Sequence, residues 1–295
     1  MKYPVFIGSA TAVVTPFTDT GVDYPRLGEL IDWQIESGSD AIVICGTTGE
    51  SSTQSVPEHV EVVDFAVKKV ARRVPIIAGT GSNDTSDALF MSKEAEKSGA
   101  DALLLVTPYY NKTTQAGLVK HYTYLADRVG IPIIMYNVPS RTGMSFTADT
   151  YKELSLHPMI NGVKEASGDF TLITRTRRLC GADLNIWSGN DNEIAPILAL
   201  GGQGVISTMA NVIPSQTAEI CRLWRQGKQQ ESADLQIRYQ DLIDALFCEV
   251  NPIPVKTAMR LIGRDCGALR MPLCDMAPKN LERLRLALTE AGLIS

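Results

Sequence analysis

Eight short runs of apolar, largely β-branched residues recur along the chain, each followed by a stretch with helical periodicity. They begin at Ser9 (SATAVVTPF), Ala41 (AIVICG), Pro75 (PIIAG), Ala102 (ALLLVTP), Pro132 (PIIMYN), Ile160 (INGVK), Leu184 (LNIWSG) and Gly204 (GVIST). A strand with one wet face alternates polar and apolar residues, so runs apolar at nearly every position suit parallel strands covered on both faces. The intervening stretches carry the helical spacing, as in LGELIDWQIESG ending at Gly38 and PEHVEVVDFAVKKVARR opening with Pro57 as a first-turn proline. The runs lie roughly 20 to 35 residues apart, the length of successive βα units. Eight such units close a parallel barrel, and the expected fold is a (β/α)8 TIM barrel. An open doubly wound sheet competes, but no G-x-G-x-x-G follows the first run, which weakens a dinucleotide-binding version.

Beyond residue 213 the strand signal stops. Helical patterns continue through QTAEICRLWRQ, LQIRYQDLIDALF and NLERLRLALTEAG. The chain therefore divides into a barrel core, 1–213, and a C-terminal helical segment, 214–295, that includes the last barrel helix. The prolines of NPIPVK are read as a turn between helices and nothing more.

Composition narrows the function. With 44% hydrophobic and 21% charged residues over 295 positions, the chain has the balance of a folded globular protein. Net charge is −5 with basic residues scattered singly, so no nucleic-acid partner is expected. No apolar run approaches the roughly 20 residues of a membrane span, and the N-terminus lacks a signal-peptide cleavage pattern. The reading is a cytoplasmic protein with no membrane association. The six cysteines form no C-x-x-C pair and read as buried thiols. The three histidines have no ligand spacing, so neither a metal nor another cofactor is expected.

In a parallel barrel the chemistry gathers at the carboxyl ends of the strands. Four segments fall there: GTTGES (Gly46 to Ser51), TPYYN (Thr107 to Asn111), YNVPSRTG (Tyr136 to Gly143) and Lys164 within GVKEASG. Each has a bland reading by itself. Glycine and threonine are common in turns, tyrosines pack well in cores, and Arg141 and Lys164 are by default solvated charges. GTTGES is no phosphate loop, because the lysine of G-x-x-x-x-G-K-[ST] is missing.

Converging on one rim, the set has a chemical use. Burial disfavours an ammonium ion, and the neutral amine of Lys164 can attack a ketone to form an imine. The proton transfers that this requires suit the hydroxyls of Tyr136 and Thr47. Glu165 is assigned no role, because alternation along the strand points it away from Lys164. Thr47 and Thr48 offer backbone N–H and hydroxyl groups to an α-keto acid's carboxylate, and Arg141 can hold a second carboxylate bidentately.

The combination of GTTGES, VTPYYN, YNVPSRTG, GVKEASG, SGND and GVISTMANVIP, with NPIPVKTAM and LRMPL further on, resembles the pyruvate-dependent class I aldolases over essentially the whole chain. The resemblance implies an imine between pyruvate and Lys164 and condensation with L-aspartate 4-semialdehyde in the lysine and diaminopimelate branch. Matched position by position, Thr47 and Tyr136 would be the proton relay, and Tyr110 a third relay tyrosine reaching in from a neighbouring subunit. Thr48 would hold pyruvate's carboxylate and Arg141 that of the semialdehyde, with Gly189 and Ile206 lining the pocket. A dimer at minimum, and a homotetramer by analogy, is implied. Feedback-inhibited members bind lysine between subunits with two histidines, an asparagine, a glutamate and a tyrosine; the matching positions here hold Val56, His59, Asn83, Asp87 and Tyr109.

Two further readings stand beside this one. N-acetylneuraminate lyase and the keto-deoxy sugar acid aldolases share the imine half-reaction, but their polyol partners call for neutral hydroxyl-binding groups where Arg141 stands. A non-catalytic binding or regulatory protein on the same barrel is the reading from a different class, since fold does not fix function.

Overall fold

The computed structural model describes residues 1–295. Eight strands, β1 (Gly8–Ala12), β2 (Ala41–Ile44), β3 (Ile76–Gly79), β4 (Ala102–Val106), β5 (Ile133–Asn137), β6 (Ile160–Glu165), β7 (Asn185–Ser188) and β8 (Gly204–Ser207), form a closed, wholly parallel barrel. Each strand pairs with the next, and β8 pairs with β1. Every apolar run of the sequence supplies one strand. A small antiparallel hairpin, Phe17–Thr18 against Gly21–Val22, stands apart from the barrel.

Helices α1 (Tyr24–Glu36), α2 (Val56–Val70), α3 (Thr85–Ser98), α4 (Gln115–Ala126), α5 (Ala148–Ser155), α6 (Phe170–Cys180), α7 (Ile194–Ala199) and α8 (Pro214–Arg225) follow the strands in turn. Their starts are written locally. The side chains of Asp23, Ser55, Asp84, Thr114, Thr147 and Asp169 cap the first turns of α1 to α6 by accepting backbone N–H groups. Four more helices complete the chain: α9 (Gln229–Arg238), α10 (Gln240–Leu246), α11 (Ile253–Leu261) and α12 (Pro278–Glu290). No helix is long and apolar enough to cross a membrane.

Apolar side chains form two clusters. The larger lies between barrel and helices and includes Leu242, Ile243 and Leu284 of the C-terminal helices. The smaller fills the barrel itself with Phe6, Ala10, Ala41, Ile77, Leu104, Ile134, Tyr136, Trp187 and Ile206 among others. Trp187 is the bulkiest of these. Its ring stacks on Phe6 with centroids 5.1 Å apart, and its indole N–H donates to the Phe6 carbonyl at 3.3 Å. A Cβ at Gly162 would lie 2.6 Å from the Trp187 ring, so the glycine in INGVK makes room for it. Truncating Trp187 to alanine would cost about 3–5 kcal/mol through lost burial and the cavity left behind.

Alternation along β6 follows directly. Val163 joins the outer cluster, whereas Lys164, the strand partner of both Tyr136 and Trp187, faces the barrel interior with them. Glu165 points outward, where it accepts from Tyr151 Oη at 2.8 Å, Asn137 Nδ2 at 2.9 Å and the Ser167 N–H at 2.9 Å.

Two expectations need correction. The cysteines are all free, and Cys45, Cys180, Cys221 and Cys266 are buried, but Cys248 is only half-buried and Cys274 is exposed. The NPIPVK stretch is more than a turn, because it brings the side chains of Asn251 and Lys256 onto Thr48 and Glu50 in the segment after β2.

Candidate active site

Lys164, Tyr136, Thr47, Thr48, Arg141 and Gly189 line one cavity of about 140 Å³ at the carboxyl ends of the strands. Thr47 and Thr48 stand in the turn after β2, Tyr136 and Lys164 end β5 and β6, and Gly189 follows β7 directly. Arg141 comes from a single helical turn, Pro139–Thr142, after β5. Ile206 of β8 is fully buried in the barrel interior beside these residues and is not part of that cavity's lining.

Lys164 is 6% exposed, with its amine 4.5 Å from the centre of the Tyr136 ring. Burial lowers its pKa to about 8 against the usual 10.5; the Asp191 carboxylate opposes the shift and the Arg141 cation adds to it. A neutral amine is therefore populated near physiological pH. Asp191 is itself buried. It accepts from Ser207 Oγ at 2.5 Å and from the backbone N–H groups of Thr208 and Met209 at 3.2 and 2.8 Å. Burial raises its pKa against the pull of these donors.

Tyr136 is buried and its pKa is raised for the same reason, while the Arg141 charge and the neighbouring Thr47 hydroxyl pull it back down. Thr48 is held from two sides: its Oγ1 lies 3.2 Å from the Thr208 hydroxyl and accepts from Asn251 Nδ2 at 3.0 Å. Arg141 donates from Nη2 to the Asn251 carbonyl at 3.1 Å. The closeness of Gly189 to the lysine is steric: a Cβ there would meet Cγ and Cε of Lys164 at 3.1 Å and the Ala166 Cβ at 2.8 Å.

Tyr110 is not brought to this cavity. Its side chain is 92% exposed, on a backbone with φ of +69°. A second cavity, of about 350 Å³, opens beside the first and shares Thr47, Val138 and Arg141 with it. Val56, His59, Asp87 and Tyr109 line it, together with Ser51, Ser52 and Gln54. Asn83 is not among its lining residues; the Asn83 carbonyl accepts from Asn111 Nδ2 at 2.9 Å.

The cavity around Lys164 also contains residues that sequence reasoning passed over. Thr208, Asn190 and Phe247 line it, and so does Asn251, whose Oδ1 is buried without a protein partner. A signal for Asn251 existed, because asparagine before a proline pair is a polar group at a chain reversal. Nothing local, however, says that this reversal lies over the turn after β2.

Similar proteins support one reading of this geometry. The 4-hydroxy-tetrahydrodipicolinate synthase of Thermoanaerobacter sp. (strain X514) is 52% identical over 292 residues, covering 99% of this chain and 98% of its own. The enzyme of the same name from Acetivibrio thermocellus is 49% identical over 294 residues and the whole of both chains. The crystal structure of dihydrodipicolinate synthase from Aquifex aeolicus superposes with a TM-score of 0.95 at 42% identity, covering 98% of this chain and 99% of that one. Residues 5–291, which carry the whole barrel, the lysine within it and the C-terminal helices that reach its rim, match the dihydrodipicolinate synthetase family, and the chain belongs to that family.

Proposed function

We propose that this chain condenses pyruvate with L-aspartate 4-semialdehyde to give 4-hydroxy-tetrahydrodipicolinate, the activity for which its full-length relatives are named. The observation that carries the proposal is the buried amine of Lys164, lowered to about 8 and facing Tyr136 in a cavity that Arg141 also lines. In its neutral form the amine adds to the ketone carbon of pyruvate, and loss of water gives the imine. Removal of a methyl proton then gives an enamine, whose carbon attacks the aldehyde; the acceptor's own amine then adds to the regenerated imine carbon, which closes the ring and releases the Lys164 amine. The hydroxyls of Tyr136 and Thr47 carry the protons between these steps. Thr48 holds the pyruvate carboxylate, with Gly189 shaping the wall. Arg141 takes the acceptor's carboxylate.

A guanidinium at this position favours an acceptor with its own carboxylate over the polyol aldehydes of the sialic-acid and sugar-acid lyases. The same reading makes the chain a cytoplasmic enzyme that works as a homotetramer, or at least a dimer, in which exposed Tyr110 completes a neighbouring relay.

Incubation with pyruvate and borohydride, followed by peptide mass spectrometry, should place a pyruvate-derived adduct on Lys164 and none on a Lys164→Ala variant. Turnover with L-aspartate 4-semialdehyde should exceed that with N-acetylmannosamine or simple aldoses. An adduct at Lys256, the other buried lysine, or a preference for a polyol aldehyde overturns the reading. For Tyr110, mixing inactive Tyr110→Phe and Lys164→Ala subunits under exchange should restore part of the activity. Confirmed exchange without recovery removes its cross-subunit role.

A further inference from the structure

Two lysines lie deep in the molecule, and only one of them faces the cavity. The other, Lys256 of α11, is 3% exposed and donates to Glu50 Oε1 at 2.8 Å, the Ala268 carbonyl at 2.8 Å and the Thr15 carbonyl at 3.1 Å. Its three N–H donors are thereby used, and its ammonium rests 4.7 Å from the centre of the Phe17 ring. Glu50 is 1% exposed, and its second carboxylate oxygen accepts the Arg270 N–H at 3.0 Å. Both charges are met by protein groups.

The position of Glu50 gives this pair its importance. Its N–H donates to the Thr47 carbonyl at 3.1 Å and closes the turn that carries Thr47 and Thr48. Glu50 itself has φ of +54°, a left-handed conformation that a residue with a side chain adopts only when its surroundings hold it there. The surroundings do so in several ways. The Gly49 carbonyl accepts from Thr15 Oγ1 at 2.7 Å and from Gln54 Nε2 at 2.9 Å. Five residues before Lys256 in the chain, Asn251 donates to the Thr48 hydroxyl. The segment from Asn251 to Lys256 thus grips the turn at two points, one on a threonine side chain and one on the residue that closes the turn.

We propose that Glu50 and Lys256 are a positioning pair for the reaction, holding the left-handed end of the turn so that the Thr47 and Thr48 hydroxyls meet the tyrosine and the keto-acid carboxylate. Buried ion pairs are weak contributors to stability when compared with apolar side chains of the same shape, whereas a single member left unpaired is costly. At this point the use of the pair lies in geometry, because it fixes the residue that closes the turn. The pair touches no substrate and acts through the turn; the inference rests on the relay roles given above to Thr47 and Thr48.

The test uses the full chain with both charges removed together, Glu50→Gln with Lys256→Met, so that no buried charge is left alone. Expected are a melting temperature within a few degrees of the parent, kcat at least tenfold lower and KM for pyruvate several-fold higher, while saturating pyruvate and borohydride still label Lys164. A pair that only supports the fold would change the melting temperature and leave kcat and KM per folded molecule as they were, and that result overturns the proposal. If the double variant does not fold, Glu50→Asp, which keeps the charge and shortens its reach, decides by the same two constants, and failure of both to fold also overturns it. Failure of borohydride to label Lys164 in the parent chain would instead count against the imine reading, so the two are separable.

Discussion

Lys164 and Tyr136 are direct partners across the β5–β6 register, and the lysine amine lies 4.5 Å from the centre of the tyrosine ring. Parallel pairing sends both side chains to the same face, so the closed barrel places the lysine amine and the phenol together without help from a flexible loop. It also fixes how far the lysine is from water, and that distance sets its protonation.

The pH dependence follows from that burial. The amine must be neutral to attack, so imine formation at subsaturating pyruvate should rise with pH to about 8 and then level off. Stability moves in the same direction. Folding lowers the Lys164 pKa from 10.5 to about 8, so between these values the unfolded chain binds more protons and stability rises with pH. Below about pH 8 the buried charge is a cost of at most roughly 3 kcal/mol. Denaturant melts should therefore show Lys164→Met more stable than the parent at pH 7, with the gain shrinking towards pH 10.5. A gain that is constant with pH would show that the lysine is not desolvated.

Gly189 tests the fit around the same side chain. An alanine methyl would stand 2.8 Å from the Ala166 Cβ and 3.1 Å from two carbons of Lys164, too close without movement. Gly189→Ala should cost about 1–3 kcal/mol of stability by overpacking. It should also lower kcat/KM for pyruvate tenfold or more as the amine is displaced. Retained kcat/KM in a folded variant would mean that the lysine stem moves aside freely.

Arg141 is expected to separate the two substrates. Losing one charge-assisted hydrogen bond costs about 1.5–3 kcal/mol, so Arg141→Ala should raise KM for the semialdehyde roughly ten- to a hundredfold while borohydride still labels Lys164. Its charge holds down the pKa values of both Lys164 and Tyr136. Removing it should therefore move the rising limb of imine formation to higher pH. Equal loss of pyruvate and aldehyde affinity, with no shift of the limb, would remove the assignment.

How much of this was legible in the sequence depends on the range of the interaction. All eight barrel strands were visible as apolar runs, because burial on both faces leaves no polar alternation. Lys164 and Glu165 could be sent to opposite faces by the period of two alone. The hairpin at Phe17–Val22 was invisible, since its strands of two residues carry no periodicity. Asn251 and Lys256 were missed for another reason. Their partners Thr48 and Glu50 lie 203 and 206 residues away in the chain, and no local pattern records a contact that long. Cys274 was misplaced because an irregular segment offers no helical or strand face from which burial could be read.

The cavity beside the active site sets the last expectation, that lysine inhibits this protein weakly or not at all. Val56, His59, Asp87 and Tyr109 line it, and it shares Arg141 with the cavity around Lys164, so an occupant there would touch a residue of that cavity directly. Two of its positions depart from the set that the family's lysine-inhibited members use. Val56 opens α2 with an apolar side chain where a ring nitrogen would meet the ligand, and Asp87 is one methylene shorter than the glutamate that would reach an ammonium group. His59 already fills one of the two histidine positions and so cannot also supply the ring lost at Val56. Each lost charge-assisted hydrogen bond is worth about 1.5–3 kcal/mol, and two such losses weaken binding a hundredfold or more. Initial rates at subsaturating pyruvate with rising L-lysine measure this, alongside a Val56→His, Asp87→Glu double variant that should gain inhibition. Half-inhibition of the parent below about 1 mM, an affinity worth roughly 4 kcal/mol, would show that the cavity holds lysine through other groups, with Ser51, Ser52 and Gln54 the nearest at hand.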